Sequence, residues 1–198
     1  VTPAAVGNDV VDLVHPPIDG DPRDGGFGAR ICAPGERERV RTARDLWDLF
    51  AAKEAAYKVL VKLGGTPGFR SMYVAADGSC VTWRGQPIAL SLHRDDDHVH
   101  AVAWTGARRP FTRVARAEPG GPPEGEQARA VLCDLVAASL GLQAAELRVV
   151  RELVPGAWDG RGPPRIERSG APVDADVSLS HDGRFVAAAA LVTGSLRP

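Results

Sequence analysis

The chain has 198 residues, and its 24 Lys+Arg against 25 Asp+Glu leave a formal net charge of −1, which excludes the basic excess of a nucleic-acid binder. Cys32, Cys80 and Cys133 are odd in number, far apart and without a C-x-x-C pair, so neither a disulfide framework nor a thiolate zinc site is expected. No apolar run approaches the ~20 residues that span a bilayer, and no basic stretch followed by an apolar one opens the sequence; the expectation is a cytoplasmic chain with no membrane partner.

Val6–Val14 is β-branched and bounded by His15-Pro16-Pro17, so it reads as a strand that stops at the prolines. Alternation puts Asp9 on the same side as Val11 and Leu13. A carboxylate on an apolar face needs a partner, and the available ones are an arginine or a metal ion. Residues 18–29 are rich in Gly, Asp and Pro and read as loop, and Pro34–Val40 reads as a short helix with acids in its first turn.

A longer helix is predicted from about Arg44 to Leu63, stopped by Gly64-Gly65. Its centre is Phe50-Ala-Ala-Lys-Glu-Ala-Ala-Tyr-Lys58, with Glu54 and Lys58 four apart on one face. The three lysines of the chain, Lys53, Lys58 and Lys62, all lie here, and every other fixed cation is arginine. Compact ammonium groups concentrated in one helix point to phosphate or a leaving oxygen, or to a solvated i,i+4 pair. Lys53 falls between Leu46 and Leu60 on the helical wheel, so its stem is expected to pack and its ammonium to reach outward.

Strands are then predicted at Phe69–Ala75, Cys80–Trp83, Ile88–Leu92 and His98–Trp104, an antiparallel meander after a helix. Asp95-Asp96-Asp97 reads as a solvated hairpin tip. His98 and His100 share a strand face and could ligate a metal only with a third partner, so ordinary sheet packing is the expectation. Residues 105–127, Pro-, Gly- and Arg-rich around a short strand Phe111–Val114, read as the connection between halves. A helix over Glu126–Gly141 follows, then a loop through Pro155–Pro164 and a hairpin of Val177–Leu179 with Phe185–Val192.

The two hairpins align without a gap, Leu90–Trp104 on Val177–Leu191, with Ser91, Leu92, Asp95, Ala101 and Ala103 meeting Ser178, Leu179, Asp182, Ala188 and Ala190. The helices correspond too, Ala51–Gly64 on Ala128–Gly141, and Val131 and Leu135 stand where Glu54 and Lys58 would be. The predicted fold class is α+β: two similar half-domains, 1–110 and 111–198, each a helix on a small antiparallel sheet, related by a pseudo-two-fold. Only the first keeps the acid, the ammonium and the strand aspartate; the second carries Ser180-His181 instead.

These segments resemble the 4′-phosphopantetheinyl transferase superfamily. Gly7-Asn-Asp9-Val-Val-Asp-Leu13 looks like that family's Gly-x-Asp-Ile-Val-Glu-Ile strand, Lys53-Glu54-Ala-Ala-Tyr-Lys58 is similar to its Lys-Glu-Ala-x-x-Lys helix, and Val177-Ser-Leu-Ser-His181 resembles its Ser-x-Ser-His strand. The resemblance implies a magnesium ion held by Asp9 and Glu54, coenzyme A as substrate, and an acyl- or peptidyl-carrier protein whose serine accepts the phosphopantetheine arm. Lys58 would neutralise or protonate the departing phosphate, and either Glu54 or a metal-acidified water would take the serine proton. Ser180 and His181 would contact the phosphates of coenzyme A, with Arg165 and Arg168 as the next cations beside them.

The resemblance also shows departures: the halves stand in reverse order to fused family members, Val11 replaces a frequent second strand carboxylate, and no lysine precedes the Ser-His strand. A monomer is expected. The alternative is a non-catalytic homologue that binds coenzyme A or a carrier protein, and a magnesium phosphohydrolase would explain the carboxylates and lysines but not the repeat.

Overall fold

The computed structural model describes residues 3–16, 23, 26–155 and 160–192. The first strand, β1 (Val6–Asp12), is buried along its whole length. A short helix α1 (Gly26–Ile31) precedes the long α2 (Ala43–Lys62). A capping box starts α2: the Thr42 hydroxyl accepts from the Asp45 amide at 3.2 Å and the Asp45 carboxylate accepts from the Thr42 amide at 2.8 Å. Gly64, at φ 80°, ends it in the left-handed conformation that a Cβ would penalise. Strands β2 (Met72–Val74), β3 (Cys80–Trp83), β4 (Gln86–Arg94) and β5 (His98–Trp104) complete an antiparallel sheet of order β1-β5-β4-β3-β2.

The rest of the described chain builds β6 (Phe111–Arg116), α3 (Glu124–Leu140), β7 (Leu147–Val150), β8 (Arg165–Arg168), β9 (Ala171–Pro172), β10 (Ala175–Asp182) and β11 (Phe185–Val192). These form two further antiparallel sheets, β10-β11-β6 and β7-β8-β9. The fold is α+β. The path β1-β5-β4 in the first sheet recurs as β6-β11-β10 in the second. Asp9 pairs with Ala101 and Arg113 with Ala188; since Ala101 and Ala188 align in sequence, Arg113 stands at the place of Asp9.

Burial explains which residues form which layer. One face of the first sheet, with Val11, Val81, Leu90, Val99, Ala101 and Ala103, packs on Leu46, Ala52, Ala56 and Val59 of α2; each fully buried Val or Leu contributes about 1.5–3 kcal/mol. The other face of β1 presents Val10 to Phe185 and Ala187, and Val6 to Ala189 and Leu191. Ala188 and Ala190, on the alternate side of β11, join Leu132 and Val136 of α3. The alanine run of β11 is thus a strand thin enough for β1 to approach one side and α3 the other.

Several expectations change. Lys53 does not reach outward: it is fully buried, and its ammonium ion-pairs with Glu36 and donates to the Ile31 carbonyl at 2.8 Å and the Phe69 carbonyl at 3.1 Å. Glu36 also accepts from the amides of Ala33 and Val74, both at 2.7 Å, so the predicted helix Pro34–Val40 becomes a turn with a 3-10 segment at Arg37–Arg39, folded around this acid. The predicted strand Phe69–Ala75 begins as a 3-10 turn, Phe69–Ser71, where the Gly68 carbonyl accepts from the Ser71 hydroxyl at 2.7 Å. The expected loop 18–29 lies partly outside the described residues, and its end is the helical Gly26–Ile31. The sheet β7-β8-β9 was not expected, because its strands are very short and separated by the long segment around Pro155–Pro164, itself partly outside the described residues.

Candidate functional site

Gly7 sets the distance between β1 and α2. A Cβ there would lie 2.0 Å from the Ala55 carbonyl oxygen and 3.0 Å from the Lys58 Cβ, so only glycine lets the strand lie this close to the helix. Alternation turns Asp9 to the same face, against the turn of α2 that carries Glu54 and Lys58. The Lys58 ammonium donates to Asp9 Oδ1 at 3.0 Å and to the Asn8 carbonyl at 2.7 Å. The basic partner of Asp9 is therefore this lysine and not an arginine.

Glu54 accepts no hydrogen bond among the described residues. Burial, followed by the nearby Asp9 carboxylate, pushes its pKa from the usual 4.5 to about 7, with Lys58 opposing the rise. Two carboxylates, one unpartnered and both shielded from bulk water, form an all-oxygen donor pair with a local excess of negative potential, which suits a hard divalent cation. The donor set therefore fits magnesium at Asp9 and Glu54.

The second half closes this site from β10. Ser180 donates to Asp9 Oδ1 at 2.9 Å and accepts from the Val10 amide at 3.1 Å, so its buried hydroxyl orients the aspartate. It is one rung of a longer ladder. The amides of Val6, Asn8, Val10 and Asp12 point away from β5, and they donate to Asp176 Oδ2 (2.6 Å), Ser178 Oγ (2.9 Å), Ser180 Oγ (3.1 Å) and Asp182 Oδ2 (2.8 Å), each 170 positions away. The open edge of β1 is satisfied by side chains of β10 in place of a backbone ladder. Lys62 locks one end, donating to the Val6 carbonyl at 2.7 Å, Asp176 at 2.8 Å and the Val177 carbonyl at 2.6 Å. Arg184 locks the other with a bidentate pair on fully buried Asp12, both bonds 2.8 Å. Burial alone would raise the Asp12 pKa, but this guanidinium and the Arg184, Val14 and His15 amides hold it well below the usual carboxylate range. Burial, with Asp9 and Asp12 nearby, pushes Asp182 up.

His181 is exposed, its Nε2 lies beside Gly125 in the first turn of α3, and no side chain caps that helix. Arg165 and Arg168 lie elsewhere, on exposed β8, where Arg165 ion-pairs with Glu152 and Arg168 with Glu146 at 2.6 Å. No contact links them to Asp9, Glu54 or His181 among the described residues. Of the residues singled out in the sequence, the structure gathers Asp9, Glu54, Lys58 and Ser180, sets His181 one position beyond Ser180, and leaves the two arginines apart. Asp176, Ser178, Asp182 and Arg184 went unnoticed as interface groups. Their signal is the polar alternation Asp176-x-Ser178-x-Ser180-x-Asp182 along one strand.

A family model described as the 4′-phosphopantetheinyl transferase superfamily matches residues 5–115, more than half of the chain. No curated protein and no solved structure matches.

Proposed function

Because the chain belongs to the 4′-phosphopantetheinyl transferase superfamily, we propose that it moves the phosphopantetheine arm of coenzyme A onto a serine of an acyl- or peptidyl-carrier protein in a magnesium-dependent reaction. The observation that carries this reading is the unpartnered Glu54 carboxylate facing Asp9, with the Lys58 ammonium on the same aspartate. Asp9 and Glu54 would hold the metal, which when bound supplies charge neutralisation to the diphosphate oxygens. The carrier serine oxygen forms a bond to the β-phosphorus while the bond from that phosphorus to the bridging oxygen breaks, releasing adenosine 3′,5′-bisphosphate. Lys58 offsets the charge that develops on the departing phosphate. Ser180 keeps Asp9 in place, and Glu54 is the carboxylate of the chain beside that aspartate that would receive the serine proton.

His181, exposed beside the uncapped N-terminus of α3, is the group offered to a phosphate of coenzyme A from the second half. Arg165 and Arg168 would have to leave their carboxylate partners to join it. The recurring path β1-β5-β4 and β6-β11-β10 supports a duplicated chain with half-domains 1–110 and 111–198; the reading extends to a monomer acting in the cytoplasm. Exposed Arg37 and Arg41, just ahead of α2, are the cations available to an acidic carrier helix.

The test is incubation with coenzyme A, magnesium and apo-carrier proteins of the fatty-acid, polyketide and peptide types side by side, read by mass spectrometry. One carrier should gain the mass of a single phosphopantetheine arm, and Glu54→Gln should abolish the gain while its circular dichroism stays unchanged. Full activity in Glu54→Gln, or no gain on any carrier, would overturn the reading. The engagement of Arg165 and Arg168 elsewhere favours, as a second reading, a homologue that binds coenzyme A without transfer; calorimetry would then show binding that is independent of magnesium.

A further inference from the structure

The tip of the β4–β5 hairpin carries a run of charged and imidazole groups, His93 to His98, and most of the charges are claimed by other elements. Arg94 pairs with Asp48 of α2 at 2.6 Å, and Asp96 meets Arg44, 3.3 Å to its carboxylate and 2.9 Å to its carbonyl. Asp97 takes Arg116 and Arg184 from the second half. What remains is His93, Asp95 and His98. Each of these offers one ligand atom, and the three atoms lie within 4.8 Å of one another.

The backbone preforms this cluster. His93 opposes His100 across the β4–β5 ladder, so His98 sits diagonal to His93 on the same face, and Asp95 projects from the turn between them. Asp95 Oδ1 is anchored by the amides of Asp97 and His98, both at 2.8 Å. The His98 ring stacks on Phe185 at 4.6 Å, which fixes its plane. Only 8% of His98 is exposed, and neither of its ring nitrogens makes a hydrogen bond. Nδ1 comes within 3.1 Å of Asp95 Oδ1 but off the hydrogen-bond direction. A buried imidazole with both nitrogens unpaired is costly unless a lone pair is used. His93 is exposed, so its ring can turn the short distance toward the anchored Asp95 and the stacked His98.

We propose that His93, Asp95 and His98 form a binding site for a divalent transition-metal ion, zinc by the chemistry of its donors, separate from Asp9 and Glu54. Two imidazoles and one carboxylate suit zinc, cobalt, nickel or copper, and not magnesium, which prefers an all-oxygen shell. The site lies on the face of the first sheet opposite α2, whereas Asp9 faces the helix. Its ion would staple the tip from which Asp97 reaches Arg116 and Arg184, and so would tighten the docking of the two halves. The proposal does not depend on the transferase reading; of the pair His98 and His100 singled out in the sequence only His98 takes part, while His100 meets the Asn8 side chain.

The test uses the full chain carrying Glu54→Gln, which silences the carboxylate pair, stripped with a chelator and titrated with zinc by calorimetry. One equivalent should bind, cobalt should give visible absorption of a low-symmetry site, and zinc should raise the melting temperature. His93→Ala and Asp95→Asn, both at exposed positions, should each weaken zinc binding at least about tenfold, a loss that even outer partners of a metal ligand produce. His98→Ala should abolish it, and if that variant fails to fold the two exposed variants decide. No zinc binding in the Glu54→Gln chain, or unchanged binding in His93→Ala because a cysteine elsewhere holds the ion, would overturn the proposal.

Discussion

At the scale of single residues, the three lysines of α2 divide by depth. Lys53 is consumed by the fold, Lys62 by the interface, and Lys58 stands at the border with its ammonium on Asp9. Glu54 is a residue whose charge the fold resists. Its folded pKa, about 7, exceeds its ordinary 4.5, so between these values the folded state binds more protons than the unfolded one. Stability of the metal-free protein should therefore fall as pH rises through that window. Urea unfolding in the presence of a chelator from pH 5 to 8 should show this decline, and Glu54→Gln should flatten it; an identical slope in the variant would refute the cause. His100, by contrast, is pushed down to about 3 by burial and stays neutral throughout, with its Nε2 3.3 Å from the Asn8 side-chain Nδ2.

At the scale of elements, the β1–α2 contact decides whether Asp9 and Glu54 can meet. Gly7→Ala would set a methyl group against the Ala55 carbonyl, and a backbone oxygen inside a helix cannot step aside. Overpacking of this kind costs about 1–3 kcal/mol, and the strand would have to lift from the helix to relieve it. Urea denaturation should register the loss, and transfer should drop with it even where the protein is fully folded, because lifting β1 separates the two carboxylates. A folded Gly7→Ala protein with undiminished activity would show that this spacing is not needed.

The sequence was legible at this scale where the signals were local. Cys80–Trp83, His98–Trp104 and Phe185–Val192 coincide with β3, β5 and β11, since short apolar runs between turn residues leave few alternatives. It misled at Pro34–Val40, where acidic first-turn residues suggested a helix and a buried ion pair with Lys53 instead drew Glu36 inward. A partner 17 positions away carries no periodic signature.

For the whole molecule, the interface between β1 and β10 is the distinctive device. Backbone pairing would have fused the two sheets into one; side-chain acceptors leave them as separate layers and still satisfy every outward amide from Val6 to Asp12 at alternate positions. Ser178→Ala and Ser180→Ala should each leave a buried amide without its acceptor and cost about 1–3 kcal/mol. Only Ser180→Ala should also slow transfer beyond its effect on the folded fraction, because only that hydroxyl touches Asp9. Equal effects of the two variants on transfer would reduce Ser180 to a structural rung.

Sequence alone determined the α+β class, the long helix with Glu54 and Lys58 on one face, and the kinship with a transferase superfamily, because these rest on local periodicity and on motifs whose members lie close together in the chain. It also indicated a repeat. Only the tertiary structure decided that Asp9 pairs with Lys58 and Ser180, that Lys53 is buried, that Arg165 and Arg168 stand apart, and that His98 lies buried with its nitrogens unpaired beside His93 and Asp95. The reason is physical. A strand's alternation tells which side a group takes, but the burial, electrostatics and partners on that side come from segments up to 172 positions distant, and packing alone brings them together.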